Sequence, residues 1–247
     1  MMSKINKEFD RIEMYQKIKY PMLRGCIEDG VLIPEAYEKS PLKMMVILKE
    51  PFDAWDEETQ SPIGGDFCFA DIIRNLEDEY KKGLNKTWLK VAAMAYAIKH
   101  GIPYSENLTL EMVREGLSCI CWINLSKTPW KTQSDVKDKN YLSRVKDWEP
   151  VVKEQLKSID YNLILYGYTW DCSLLNPIEP DKCWDYTKVH DKQDYTYCSE
   201  SGKKYGIQIF RYQGSNKIIV NGYHPELGNS AGWQTDFIQN YINMYGL

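Results

Sequence analysis

Apolar residues recur along this chain with two different periods. Ile5, Phe9, Ile12, Tyr15 and Ile18 are spaced three and four apart, which predicts an amphipathic helix over residues 5–19. Pro21, Gly25 and Gly30 interrupt the segment after it. Met44-Met45-Val46-Ile47-Leu48 is instead a short continuous apolar run that stops at Lys49-Glu50-Pro51. A strand buried on both faces reads this way, as in parallel sheets. Residues 51–66, with Pro51, Pro62, Gly64 and Gly65, predict a loop. Helical spacing returns at Phe69, Ile72, Ile73 and Leu76, then over about 86–99 and about 109–117.

Leu117 to Leu125 predicts a second strand, followed by a polar, Lys-rich loop and a helix over 141–157. Asn162 to Tyr166, closed by Gly167, predicts a third strand. Residues 171–215 are polar, aromatic and turn-rich, and predict an excursion of loops and short antiparallel strands. Ile218-Ile219-Val220 begins a fourth strand that ends at His224-Pro225. Phe237, Ile238, Tyr241 and Ile242 mark a last helix over about 232–244.

Strands that alternate with helices argue for an α/β domain whose parallel sheet is covered on both faces. The expectation is one domain over 1–247: a three-layer α/β/α arrangement around a central, four-stranded, mainly parallel sheet, with residues 1–42 as N-terminal helix and lead-in. Glu50, Asn124, Gly167 and His224 stand where the strands stop. Ligands of open parallel sheets bind outside the carboxyl ends of the strands, so these tips converge on one pocket if the strands are neighbours. No glycine-rich phosphate loop follows any strand, which counts against nucleoside triphosphates and dinucleotides.

Composition narrows the picture. With 43% hydrophobic and 27% charged residues in 247, the chain is suited to a folded core rather than to disorder. No apolar run approaches the ~18 residues of a membrane helix. Met1 to Asp10 lacks the apolar stretch of a signal peptide, so the expected location is the cytoplasm, with no membrane partner. Seven cysteines form no even disulfide framework and are expected as reduced thiols. A net charge of −4 and a pI near 5.6 mean that binding to a phosphate backbone must rest on a local basic face. Lys127, Lys131, Lys137, Lys139, Arg144 and Lys146, against Asp135 and Asp138, offer one; a solvated loop is the plainer reading.

Four strand-end motifs stand in order: Leu-Lys-Glu-Pro-Phe (48–52), Ile-Asn-Leu-Ser-Lys-Thr-Pro (123–129), Leu-Tyr-Gly (165–167) and Tyr-His-Pro-Glu (223–226). Over residues 43–245 this order resembles the uracil-DNA glycosylase superfamily. The resemblance implies hydrolysis of an N-glycosidic bond in DNA by base flipping, without metal or cofactor, by a monomer that releases free uracil. It places Glu50 where the attacking water is activated or oriented, and His224 where a ring N–H stabilises the departing base. Asn124 falls where an amide pairs with the uracil edge, Phe67 where a ring stacks on the base, and Phe52 where an aromatic crowds its C5 edge. Phe69 is an alternative match for the stacking ring, and each aromatic is equally readable as core. Lys127, Lys131 and Leu227 become DNA contacts, Leu227 as a wedge for the vacated stack. Glu50 is one methylene longer than the Asp of the best-known branch, and His-Pro-Glu departs from the family's common His-Pro-Ser.

Other readings stand beside this one. No Cys-x-x-Cys occurs, so the iron–sulfur cluster of some branches is not expected. Cys172, Cys183, His190 and Cys198 have zinc-ligand chemistry but not the compact spacing of zinc fingers. Trp130 and Trp170 follow the second and third strands and are candidates for a pocket wall. A silent relative would bind a base or nucleic acid without cleaving it, and an interaction protein would use the 171–215 excursion.

Overall fold

A computed structural model describes residues 2–131, 139–169, 189–212 and 217–246. In chain order the elements are α1 (Met2–Lys19), β1 (Gly30–Val31), α2 (Pro34–Lys39), β2 (Met44–Leu48), β3 (Trp55–Asp56), β4 (Ser61–Pro62), α3 (Phe69–Arg74), α4 (Leu76–Lys81), α5 (Lys86–His100), α6 (Leu110–Ser118), β5 (Ile120–Asn124), α7 (Lys139–Ser158), β6 (Leu163–Gly167), β7 (Val189–Cys198), β8 (Lys204–Tyr212), β9 (Ile218–Gly222) and α8 (Ser230–Tyr245). Every residue of β2, β5 and β6 is buried, as their continuous apolar runs require.

Period two divides these strands between two cores. Met44, Val46 and Leu48, with Ile120, Trp122, Leu163, Leu165, Ile218 and Val220, pack with α5, α6 and α8. Met45 and Ile47, with Cys121, Ile123, Ile164, Tyr166 and Ile219, pack with Tyr37 of α2 and with Tyr141, Val145 and Val152 of α7. Helices therefore cover both faces of a mixed sheet whose centre is parallel. The outer side of α7 is covered in turn by α1, where Ile12 meets Trp148 and Val151. The buried face of α7 keeps it helical through Pro150.

Among the described residues the sheet has seven strands, not four, in the order β1-β5-β2-β6-β9-β8-β7. The four expected strands form its parallel middle, and antiparallel strands extend both edges. β1 is only two residues long, too short to carry a period. The described part of the 171–215 region is antiparallel β structure between the third and fourth expected strands, as the sequence suggests, but its strands are long rather than short. β7 and β8 form a long hairpin that continues the main sheet from β9. Its aliphatic signal is weak because aromatic rings do the packing: Tyr195 stacks on Phe237 at 4.8 Å and Tyr197 on Trp233 at 5.2 Å, both of α8. Residues 170–188, with Trp170, Cys172 and Cys183, lie outside the described residues, as does Lys137. The 51–66 loop carries a small separate pair, β3 with β4. Among the described residues, no helix is long and apolar enough to cross a membrane.

Helices α5 and α6 approach so closely that Gly116 has no room for a side chain: a Cβ there would lie 2.2 Å from the carbonyl oxygen of Ala92. Gly116→Ala is expected to lower stability by about 1–3 kcal/mol, the usual cost of overpacking. Urea unfolding should show a lower midpoint at unchanged slope; an unchanged midpoint would contradict so tight a helix pair.

Candidate functional site

Strand register decides which side chains meet. Leu48 pairs with Asn124 across β2 and β5, and Gly167 pairs with Gly222 across β6 and β9, so the four parallel strands end level. Pairing continues past the tips: Leu125 N–H donates to Leu48 O at 2.8 Å, and Ser126 N–H to Lys49 O at 2.9 Å. Between β2 and β9 stands β6, whose last residue carries no side chain. A Cβ on Gly167 would sit 2.4 Å from Leu48 Cδ2 and 3.5 Å from the Cα of His224. This gap lets His224 share space with Glu50 although their strands are not neighbours.

A cavity of about 470 Å³ opens over these tips, and Glu50, Phe52, Phe67, Asn124 and His224 all line it. Its volume lies within the range of small-ligand pockets. Asn124 is buried at its base, and its side-chain NH₂ has no hydrogen-bond partner among the described residues. An unsatisfied buried donor is costly, and a ligand acceptor would relieve it. The backbone of Asn124 is held from both sides: its N–H donates to Asp29 Oδ2 at 2.7 Å, and its C=O accepts from Lys127 Nζ at 2.7 Å.

Glu50 is not an open carboxylate. Arg144 Nη2 donates to its Oε2 at 2.8 Å, with both side chains 1% exposed. The guanidinium also lies 3.6 Å from the centroid of Trp130. Trp130 thus backs the Glu50 pair and packs against Trp55 at 4.5 Å.

His224 follows β9 in a turn closed by Leu227 N–H and Ser230 Oγ–H, both donating to its C=O. Burial pushes its imidazole down from 6.5 to about 4; Glu226 opposes that shift and Lys49 and Lys90 add to it. The ring is therefore neutral near pH 7. Its Nδ1 accepts from the N–H of Glu226 at 3.2 Å, which leaves the proton on Nε2 as the donor.

Aromatic rings form the opposite wall. Phe69 is core: it is 6% exposed and meets Trp88 at 5.0 Å and Trp122 at 5.6 Å. Phe67, half-buried and 6.0 Å from Phe69, lines the space together with Phe69, Trp88 and Trp122. Phe52 is 74% exposed at the rim, so it is not a core aromatic.

The basic face is corrected by the structure. Lys127 is fully buried, with Nζ 2.6 and 2.8 Å from the Asp29 oxygens, and cannot touch DNA. Arg144 is likewise turned inward, on Glu50. Lys131 stays at the surface, 4.9 Å from the Trp55 ring and 3.5 Å from Glu57. Leu227 is 46% exposed, beside the cavity rather than within it. Asp29, Arg144, Trp88 and Trp122 are site residues that the sequence does not reveal as such; nothing in their local sequence marks them as partners of the strand tips.

No protein-family model, curated protein or solved structure matches the chain.

These geometries carry two expectations. Removing either partner of the Asp29–Lys127 pair strands a buried charge, so Asp29→Ala and Lys127→Met should each cost about 3–5 kcal/mol. Urea unfolding of the double variant should show a loss well below the sum of the two; strict additivity would mean the ions do not interact. For His224, the unfolded chain takes up a proton below pH 6.5 that the folded chain refuses until about pH 4. Stability should thus fall by the order of 2–3 kcal/mol as pH drops through that window. His224→Asn should remove this part of the pH dependence; identical profiles would show the ring titrates normally.

Proposed function

We propose that the chain is a uracil-DNA glycosylase-like protein with a three-layer α/β/α domain, whose cavity receives one flipped base and hydrolyses its N-glycosidic bond. The observation that carries this reading is the convergence of Glu50, Asn124 and His224, from three separate strand ends, on one cavity. In this scheme Phe67 supplies the stacking surface a flipped base loses on leaving the helix. The Asn124 amide offers a donor to O4 and an acceptor to N3–H of uracil, a pattern that cytosine reverses. Water attacks C1′ as the C1′–N1 bond breaks, the base leaves with the bonding electrons, and the proton lost by the water ends on the base anion, so that a C1′ hydroxyl and neutral uracil are the products. The neutral His224 donates from Nε2 to O2, where the negative charge collects. Glu50, fixed by Arg144, stabilises the positive charge on the sugar and orients the water.

The Glu50–Arg144 pair also favours a second reading. A carboxylate already engaged by a guanidinium suits a module that binds a base without cleaving it.

Release of free uracil from single- and double-stranded uracil-containing oligonucleotides separates the two. The expected result is release that falls by about 10²-fold or more in His224→Ala and Glu50→Gln. His224→Ala leaves the buried pair intact and so reads the chemistry without that loss of stability. Uracil binding without release establishes the module, and neither binding nor release refutes both.

A further inference from the structure

Beside the base cavity lies a larger one, of about 770 Å³, lined by Lys49, Tyr168, Lys203, Lys204, Tyr205 and Tyr223. The two cavities share Lys49, His224 and Glu226, so they meet along one edge. The larger one joins residues from four places: the tip of β2, the tip of β6, the β7–β8 hairpin and the turn after β9.

Its chemistry is cationic and aromatic in alternation. Lys49 Nζ lies 5.1 Å from the Tyr168 ring centroid, and Lys203 Nζ 5.1 Å from that of Tyr205. Tyr168 stacks on Tyr223 at 5.9 Å with an interplanar angle of 16°, and Tyr205 meets Tyr223 edge-on at 5.6 Å. Lys203 and Lys204 are exposed at the start of β8. Among the described residues, the one carboxylate lining the space is Glu226, engaged on the base-cavity side by the hydroxyl of Thr87, which donates to it at 2.5 Å.

Tyr168 adds an independent observation. It directly follows Gly167 with φ +63, a left-handed conformation that bulky residues rarely adopt. Its N–H is tied to Gly222 O at 2.9 Å, and its ring is 51% exposed. Residues held in such conformations cluster at functional sites, where the strain presents a side chain. Here it presents an aromatic face to the groove rather than to the core.

We infer that this groove binds a single-stranded polynucleotide, with Lys49, Lys203 and Lys204 on the phosphates and Tyr168 and Tyr205 beneath the bases. Lysines flank stacking rings in the same way in grooves that track single strands, and bases must be unstacked from a duplex to use such rings. The inference rests on the base-cavity reading for its direction: the strand runs along the groove and delivers one base over the shared edge at His224. It also relocates the nucleic-acid surface from the Lys-rich 127–146 segment to the hairpin.

Fluorescence anisotropy with a short oligothymidylate, which carries no uracil, tests the groove apart from the base cavity. Binding should weaken about tenfold or more in Lys203→Gln/Lys204→Gln and in Tyr168→Ala, and a duplex should bind about tenfold more weakly than the single strand. The slope of log K against log salt should be about −2 and should fall by about 1.4 in the double lysine variant. Binding of free uracil, measured by calorimetry, should be unchanged in both variants. Oligothymidylate binding that ignores both lysines and Tyr168, or a duplex that binds as well, overturns the groove and leaves the base cavity standing. Lysine-dependent strand binding without any uracil binding supports the groove and removes the base cavity instead.

Discussion

The buried ion pair between Asp29 and Lys127 is the constraint on which the floor of the site depends. It joins the chain just before β1 to the loop after β5. Gln155 of α7 adds hydrogen bonds to the carbonyl and to Oδ1 of Asp29, at 3.1 and 3.0 Å. Asn124 is gripped between the two ions by its own backbone, N–H to the carboxylate and C=O to the ammonium. Burial pushes Lys127 down while Asp29 opposes it. A pair so deeply desolvated adds little net stability over an apolar substitute, but losing one member is severe. Its value lies in geometry: the carboxylate, the ammonium and the Gln155 amide tie β1, β5 and α7 together, and that arrangement fixes where Asn124 stands.

Helix α7 repeats the device at the neighbouring tip. Arg144 reaches Glu50, Trp148 donates to Thr128 Oγ1 at 3.0 Å, and Gln155 reaches Asp29, all from the buried face of one helix. Four positions on from Arg144 is Trp148, and seven further is Gln155, so the face is continuous. The helix therefore positions the tips of β2 and β5 together, and the strands do not set the site alone. One consequence is electrostatic. Two cations of the 127–146 segment, Lys127 and Arg144, are committed inside the protein, so they add nothing to the positive surface its composition suggests.

Much of this fold could be read from the chain. β2, β5 and β6 are buried on both faces, so their apolar runs are unbroken and bounded by polar residues. The strand-end residues Glu50, Asn124 and His224 were legible for the same reason, because the runs stop at them. What could not be read depends on distant partners. Lys127 and Asp29 are 98 residues apart, and Arg144 and Glu50 are 94 apart. Whether a lysine faces water or a buried carboxylate is a property of the assembled fold, and local composition favours water. The length of the hairpin and its place in the main sheet escaped because its inward residues are tyrosines with polar neighbours, which resemble loops and short strands until α8 supplies Trp233 and Phe237.

The acidic balance of the chain, −4 overall, bears less on the site than it first suggests. At physiological ionic strength charges separated by more than ~8 Å of solvent are largely screened. A phosphate in the groove would feel Lys49, Lys203 and Lys204 far more than the carboxylates of distant helices. The same locality explains His224. It lies on the edge between the two cavities, close enough to Lys49 and Lys90 for both to disfavour a proton on its ring. Burial does most to keep the imidazole neutral, and Lys49, which also lines the larger cavity, acts in the same direction; a neutral ring with its proton on Nε2 is the form that can donate to an anion as it develops. At the shared edge Lys49 alone would both attract a phosphate and disfavour a proton on the ring, which is a physical reason for the two cavities to meet there.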